Sequence, residues 1–233
     1  GLAAVAYQQA LATLQDIRSE VSRGSSLDFD EQVQPVFYGY ANLLLRQQSA
    51  APDSAAAEPQ LQQVTRTIEQ LRQAQILNYF DGECVLDTER QLDVQGISVD
   101  AAIIYPIILD DRLEVLVTSG GVVRRYTSQV SRRELEKTIK ALRDKVQTER
   151  TRSFEAPAGQ LYDWLVRPAI EDLRARGTRV LVFVPDQLLR TIPPGVLYDG
   201  ERFLVEDFAI AVTPGLTVTN PEAIARETAE VLA

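Results

Sequence analysis

Residues 178–214, TRVLVFVPDQLLRTIPPGVLYDGERFLVEDFAIAVTP, constrain this chain more than any other stretch. Val180 to Val184 is a short, apolar, β-branched run stopped by Pro185-Asp186. That is the pattern of a strand buried on both faces. Val205 and Phe208 to Val212 repeat it and stop at Pro214-Gly215. Between the runs, Ile192-Pro193-Pro194-Gly195 excludes regular structure and Asp199-Gly200 reads as a turn. Two interior strands joined by an irregular segment predict the heart of an α/β layer. The stretch carries no reactive group, so it speaks to fold before function.

The sequence before this stretch falls into a helical part and a mixed part. Leu2 to Val21 has apolar residues near a 3.6 period, an amphipathic helix with Gly24 as its C′ residue. Phe29 to Gln48 reads as a second helix whose regular part starts near Pro35. Residues 47–59 form a small-residue connector, and Pro59 opens a third helix through Leu77. Residues 101–109, AAIIYPIIL, are a strand in which Pro106 predicts a bulge or an edge position. Turns at Asp110-Asp111 and Gly120-Gly121 then give an antiparallel meander, with Leu113, Val115 and Val117 facing one layer. Ser131 and Glu134 form a capping-box pair that starts a helix running to Val146. Gly159 to Arg176 is a further helix kinked or split at Pro168, and Glu222 to Leu232 is a short terminal one. The fold class is therefore α/β, a mixed sheet flanked by helices, behind an N-terminal all-helical segment. The domain boundaries fall at 1–80 and 97–233.

Composition removes whole classes of chemistry. The 233 residues contain no His and no Met, and one Cys, Cys84. No Ser-His or Cys-His nucleophile system and no His-type zinc site can form from them. A disulfide within the chain is impossible, and a lone thiol fits a reducing compartment. The formal charge of −9 opposes nucleic-acid binding, which needs surplus Lys and Arg. No apolar run approaches the roughly 20 residues of a membrane span. The start at Gly1, directly in a helical pattern, reads as a piece of something longer.

The remaining candidates each have a plain structural reading. Cys84 lacks an activating partner, and Asp81 and Glu83 beside it blunt its thiol. Asp110-Asp111 and Glu206-Asp207 are paired carboxylates, read as turn or surface groups rather than acid/base or metal-binding pairs. Gly120-Gly121 lacks a phosphate-loop context. Arg124-Arg125 and Arg132-Arg133 are too little charge for a nucleic-acid face. Tyr105, Tyr126, Tyr162, Trp164 and Tyr198 read as core or interface aromatics. No residue is assigned a catalytic, cofactor-binding or metal-binding role.

LYDWLVRPAIEDL (161–173) followed by residues 179–216 resembles the amino-terminal half of the CHAT domain. The family pattern appears here as Pro185-Asp186, Leu189, Ile192-Pro193, Leu197, Asp199-Gly200 and Pro214-Gly215-Leu216. IEQLRQAQILNYFDGEC (68–84) and AAIIYPIILDDRLEVLVTSGG (101–121) are similar to the linker and first strands of such proteins. The resemblance implies a bacterial caspase-like fold, related to separase, behind the end of a tetratricopeptide region. One helical pair cannot demonstrate a repeat, and an isolated bundle fits residues 2–48 equally. The family's catalytic His and Cys lie downstream of the P-x-L strand, so none of these residues inherits a catalytic role. The function implied is a non-catalytic, pseudo-protease scaffold that couples a protein-binding helical region to a cysteine-peptidase half. A non-enzymatic interaction module is the alternative, and a carboxylate-based metal hydrolase is the least favoured reading. Protein partners are expected under the first two; no cofactor is.

Overall fold

The computed structural model describes residues 2–16, 29–50, 57–79, 100–148 and 152–217. Helix α1 spans Leu2–Asp16, and a single π-helical turn, Phe29–Val33, leads directly into α2, Gln34–Ala50. Helix α3 runs Ala57–Tyr79, starting two residues ahead of Pro59, so the proline sits in its first turn. The sheet follows: β1 Ala101–Ile108, β2 Leu113–Ser119 and β3 Val122–Ser128. Helices α4 (Arg132–Thr148), α5 (Glu155–Leu165) and α6 (Ile170–Ala175) lead to β4, Val180–Phe183. A one-turn helix α7, Leu204–Asp207, precedes β5, Ala209–Val212. Gly24, Cys84 and residues 222–232 lie outside the described residues.

Strand order is β3-β2-β1-β4-β5, with β1, β4 and β5 parallel and the β1-β2-β3 meander antiparallel. Tight turns set the meander. Gly120 and Gly121 have φ of 57° and 77°, the left-handed pair a two-residue hairpin requires. Alternation along the strands divides the core in two. Ala102, Ile104, Leu113, Val115, Val117, Leu181 and Phe183 face Leu135, Ile139, Leu161 and Leu173 of α4–α6. Ile103, Tyr105, Ile107, Leu116 and Val184 face Phe37, Leu44, Leu45, Val64, Ile68 and Leu71 of α2 and α3. The mixed sheet is thus flanked by helices on both faces, and the N-terminal helices form one of those layers. Helix α1 packs outside α2, with Tyr7 stacked on Tyr40 at 5.9 Å.

Three expectations change. Pro106 lies in the central strand, not at an edge. Its nitrogen faces the β4 flank, where the last ladder bond runs from Val184 N–H to Ile104 O; the next bond would need a donor at residue 106, so the β1–β4 ladder ends at the proline. The second apolar run is not an interior strand. Among the described strands β5 is the sheet edge, with Ala209, Ala211 and Val212 exposed, and Val205 stands on α7 at 60% exposure. Even β4 alternates between buried and half-buried residues, with Val180 and Val182 only partly covered by the described residues. The Gly159–Arg176 helix starts earlier, at Glu155, and a 3₁₀ turn at Arg167–Ala169 divides it at Pro168.

The irregular crossover from β4 to β5 is held by burial rather than by regular hydrogen bonding. Leu189, Ile192, Leu197, Leu204 and Phe208 all enter the core on the α4–α6 side. Asp199 Oδ1 accepts the backbone N–H of Glu201 and of Arg202, both at 2.7 Å, which fixes the Asp199-Gly200 turn.

Candidate functional site

The parallel strands β1 and β4 end on the same side of the sheet, and what stops them builds the site. Pro185 ends the β4 ladder while β1 continues to Ile108. The Asp186 carboxylate, fully buried, fills the gap: its Oδ2 accepts Ile108 N–H at 3.0 Å. Its Oδ1 accepts Tyr38 Oη–H at 2.5 Å and Arg72 Nη2–H at 2.7 Å. Arg72 is itself only 1% exposed and donates Nη1–H to Gln75 Oε1 at 3.0 Å. Burial, reinforced by the Asp186 charge, raises the Tyr38 phenol well above its ordinary value. Burial opposes the Arg72 charge, but Asp186 outweighs it and keeps the guanidinium protonated.

One turn earlier on α3, Glu69 performs the same task for β5. Glu69 is 2% exposed, and its oxygens accept Tyr105 Oη–H at 2.8 Å, Leu216 N–H and Thr217 N–H at 3.1 Å, and Thr217 Oγ1–H at 2.9 Å. Burial first, then the Glu69 charge, pushes the Tyr105 phenol well up. A single turn of α3 therefore grips the end of β4 through Arg72 and the segment after β5 through Glu69. Helix α2 is tied at the same end of the strands, on the β2–β3 side of the sheet. Buried Glu114 accepts Arg112 Nε–H at 2.5 Å, Arg125 Nη2–H at 2.6 Å and Thr127 Oγ1–H at 2.7 Å. Arg125 Nη1 passes on to Leu45 O, and Arg112 Nη2 to Asn42 Oδ1, at 2.7 and 2.8 Å. Burial raises the Glu114 carboxyl, yet the Arg125, Arg112 and Thr127 hydrogen bonds outweigh it and hold it below its ordinary value.

Above Asp186 a cleft of about 1070 Å³ opens between α2, α3 and the loops that follow β1 and β4. Crevices outside the carboxyl ends of parallel strands are where open α/β sheets bind ligands. Tyr38, Asn42 and Arg46 line it from α2; Gln75, Asn78 and Tyr79 line it from α3. Asp110, Asp111, Arg132, Gln187 and Arg190 complete the floor and rim. Gln187 has φ +43°, the sole non-glycine positive φ among the described residues. Such strain is held where surrounding contacts over-determine it. Here Gln187 Oε1 accepts a hydrogen bond from Arg132 Nη1, and Arg132 Nη2 also donates to Ile108 O at 2.8 Å. The described lining offers side-chain amides, guanidiniums, carboxylates and phenols, groups that can hold a polar ligand.

The residues singled out from sequence are spread over this frame. Asp110-Asp111 is the β1–β2 turn; Asp110 pairs with Arg132 at 2.9 Å, and Asp111 with Arg112 and Arg46 at 2.8 and 3.3 Å. Glu206-Asp207 sits on α7, where Glu206 Oε1 accepts Phe203 N–H at 2.7 Å and Asp207 pairs with Arg202 at 2.7 Å. Arg124 pairs with Asp172 at 3.4 Å, whereas Arg125 joins the Glu114 cluster. Tyr126 Oη–H reaches Asp172 Oδ2 at 3.3 Å; Tyr162 is core beneath the Arg167 guanidinium, 5.0 Å from its ring. Trp164 packs on the core, and Tyr198 lies against Phe203 at 5.0 Å. No group of three or more potential metal ligands occurs among the described residues. No helix among them is long and apolar enough to cross a membrane.

Sequence reasoning missed Glu69, Arg72, Glu114 and the burial of Asp186. A signal existed for two of them. Glu69 lies four residues after buried Thr65, and Arg72 four after Ile68, so both charges interrupt the inward stripe of α3. No curated protein matches the chain. The family model of the CHAT domain does match it, over residues 155–233, the part that supplies α5, α6, β4, the buried crossover and β5.

Proposed function

We propose that these residues are the non-catalytic, supporting portion of a CHAT-family caspase-like cysteine peptidase. In this reading residues 1–80 are the end of a bacterial tetratricopeptide-like, protein-binding region with its linker helix. Residues 97–233 are the first, pseudo-protease half of the CHAT domain. The observation that carries the proposal is the grip of α3. The segment that matches the family model is held at Asp186 and at Leu216-Thr217 by two charges on one helical turn. A partner that shifts α3 must move both strand ends, because neither buried charge can be left unpaired without a cost of several kcal/mol. With no His among the 233 residues, thiolate chemistry has to come from a His and a Cys outside them.

A peptidase assay tests this. Purified residues 1–233 are expected to hydrolyse no peptide substrate, whereas a longer parent carrying a His and a downstream Cys does. Glu69→Gln in that parent lowers kcat/KM although it touches no reacting group. Hydrolysis by residues 1–233, or a parent insensitive to Glu69→Gln, overturns the proposal. A parent with no peptidase activity would make the protein an interaction module in a protease-like shape.

A further inference from the structure

We infer that the cleft over Asp186 is a binding site for an extended acidic peptide segment of a partner protein. Hydrogen-bond polarity points to it first. The side-chain oxygens of three lining amides are already taken by arginines: Asn42 by Arg46 and Arg112, Gln75 by Arg72 and Arg190, Gln187 by Arg132. An amide whose oxygen is occupied has only its NH₂ group to offer; that of Gln187 already turns to the Tyr38 hydroxyl, while those of Asn42 and Gln75 bias the lining towards donors. The two lining carboxylates, Asp110 and Asp111, are likewise engaged by arginines. Donors of this kind are matched by acceptors, which peptide carbonyls and carboxylates supply.

Charge points the same way. Arg46, Arg132 and Arg190 outnumber Asp110 and Asp111 in the lining, on a chain of net charge −9. The Arg46–Asp111 pair is 63% and 57% exposed, and a pair so exposed is worth about 0–1 kcal/mol, so an incoming carboxylate exchanges for Asp111 cheaply. Shape selects a peptide over a small anion. The volume of about 1070 Å³ lies just above the roughly 300–1,000 Å³ of small-molecule sites. Phe29, Pro35, Tyr79, Leu109 and Leu188 add apolar contact among the polar groups. A phosphate ligand would want a glycine-rich nest of backbone N–H groups, whereas side-chain amides and aliphatic walls suit a backbone with alternating side chains.

The site is tested by panning the purified protein against a phage-displayed library of random linear peptides. The recovered peptides are then measured by fluorescence anisotropy. Selected sequences are expected to be rich in Asp and Glu and to weaken as salt rises. Reversing both exposed guanidiniums, Arg46→Glu with Arg190→Glu, is expected to raise Kd at least tenfold. Asn78→Asp, which adds a carboxylate to the lining and removes no arginine, moves Kd the same way and guards against a folding defect in the double variant. Recovery of no binder, of basic or neutral sequences, or of peptides whose binding survives both changes, overturns the inference.

Discussion

Replacing Asp186 by Asn exposes how much the buried ion pair carries. The amide keeps an oxygen for Ile108 N–H and nearly the same volume. Among the described residues it removes the one carboxylate bonded to Arg72, whose side chain is 1% exposed opposite a partner at 0%. An uncompensated buried charge of this kind costs about 3–5 kcal/mol. At about 2–4 °C per kcal/mol for chains of this size, Tm should fall by about 6–20 °C. Arg72→Met strands the carboxylate instead and should cost a similar amount. The double variant Arg72→Met/Asp186→Asn contains neither charge, so it should be more stable than the sum of its parents by about 2–3 kcal/mol of coupling. Urea unfolding followed through the single tryptophan, Trp164, which packs on the core beyond the sheet, measures all three. Strict additivity, or a loss below about 0.5 kcal/mol in Asp186→Asn, the range of exposed positions, would refute the reasoning.

Two further predictions concern pH. The Glu114 carboxyl titrates below its ordinary 4.5 when folded, so as pH falls through that value the unfolded chain takes up the proton first. Stability present at neutral pH is therefore lost below about pH 4.5, and Glu114→Gln should flatten the acid limb of unfolding midpoint against pH. Tyr38 and Tyr105 are shifted the other way, so they protect the fold up to their ordinary value of 10.0 and cease to as pH rises beyond it. In an ultraviolet titration, these two of the eight tyrosines should ionise only as the protein unfolds; free ionisation of all eight in the folded state would contradict their burial.

Much of the frame was legible because local chemistry decided it. Two adjacent glycines can only make the β2–β3 hairpin, Ser131 Oγ does accept Glu134 N–H at 3.3 Å, and Pro168 does split its helix. What misled was reading hydrophobicity as burial. Ala209 to Val212 looks like an interior strand, yet its burial depends on a neighbour and a covering layer, which a local pattern does not encode. Pro106 misled for the opposite reason: its position was judged without knowing where the ladder of β4 would stop. The site was hidden because it joins residues far apart in sequence. Arg72 and Asp186 are 114 positions apart, and Glu69 and Thr217 are 148 apart. Pro185-Asp186 reads locally as a strand stop, which it also is; only the third dimension makes the same carboxylate the anchor for α3.

The grip of α3 on both strand ends is the claim on which the functional reading stands, and amide hydrogen exchange measures it segment by segment. Wild-type protein should protect the backbone around 106–108, 184–186 and 213–217 nearly as well as the centre of β1. Glu69→Gln should release 213–217, and Arg72→Met should release 184–186 and Ile108, while the β2–β3 hairpin keeps its protection. Unchanged protection in both variants, or a loss spread evenly over the whole sheet, would contradict the account.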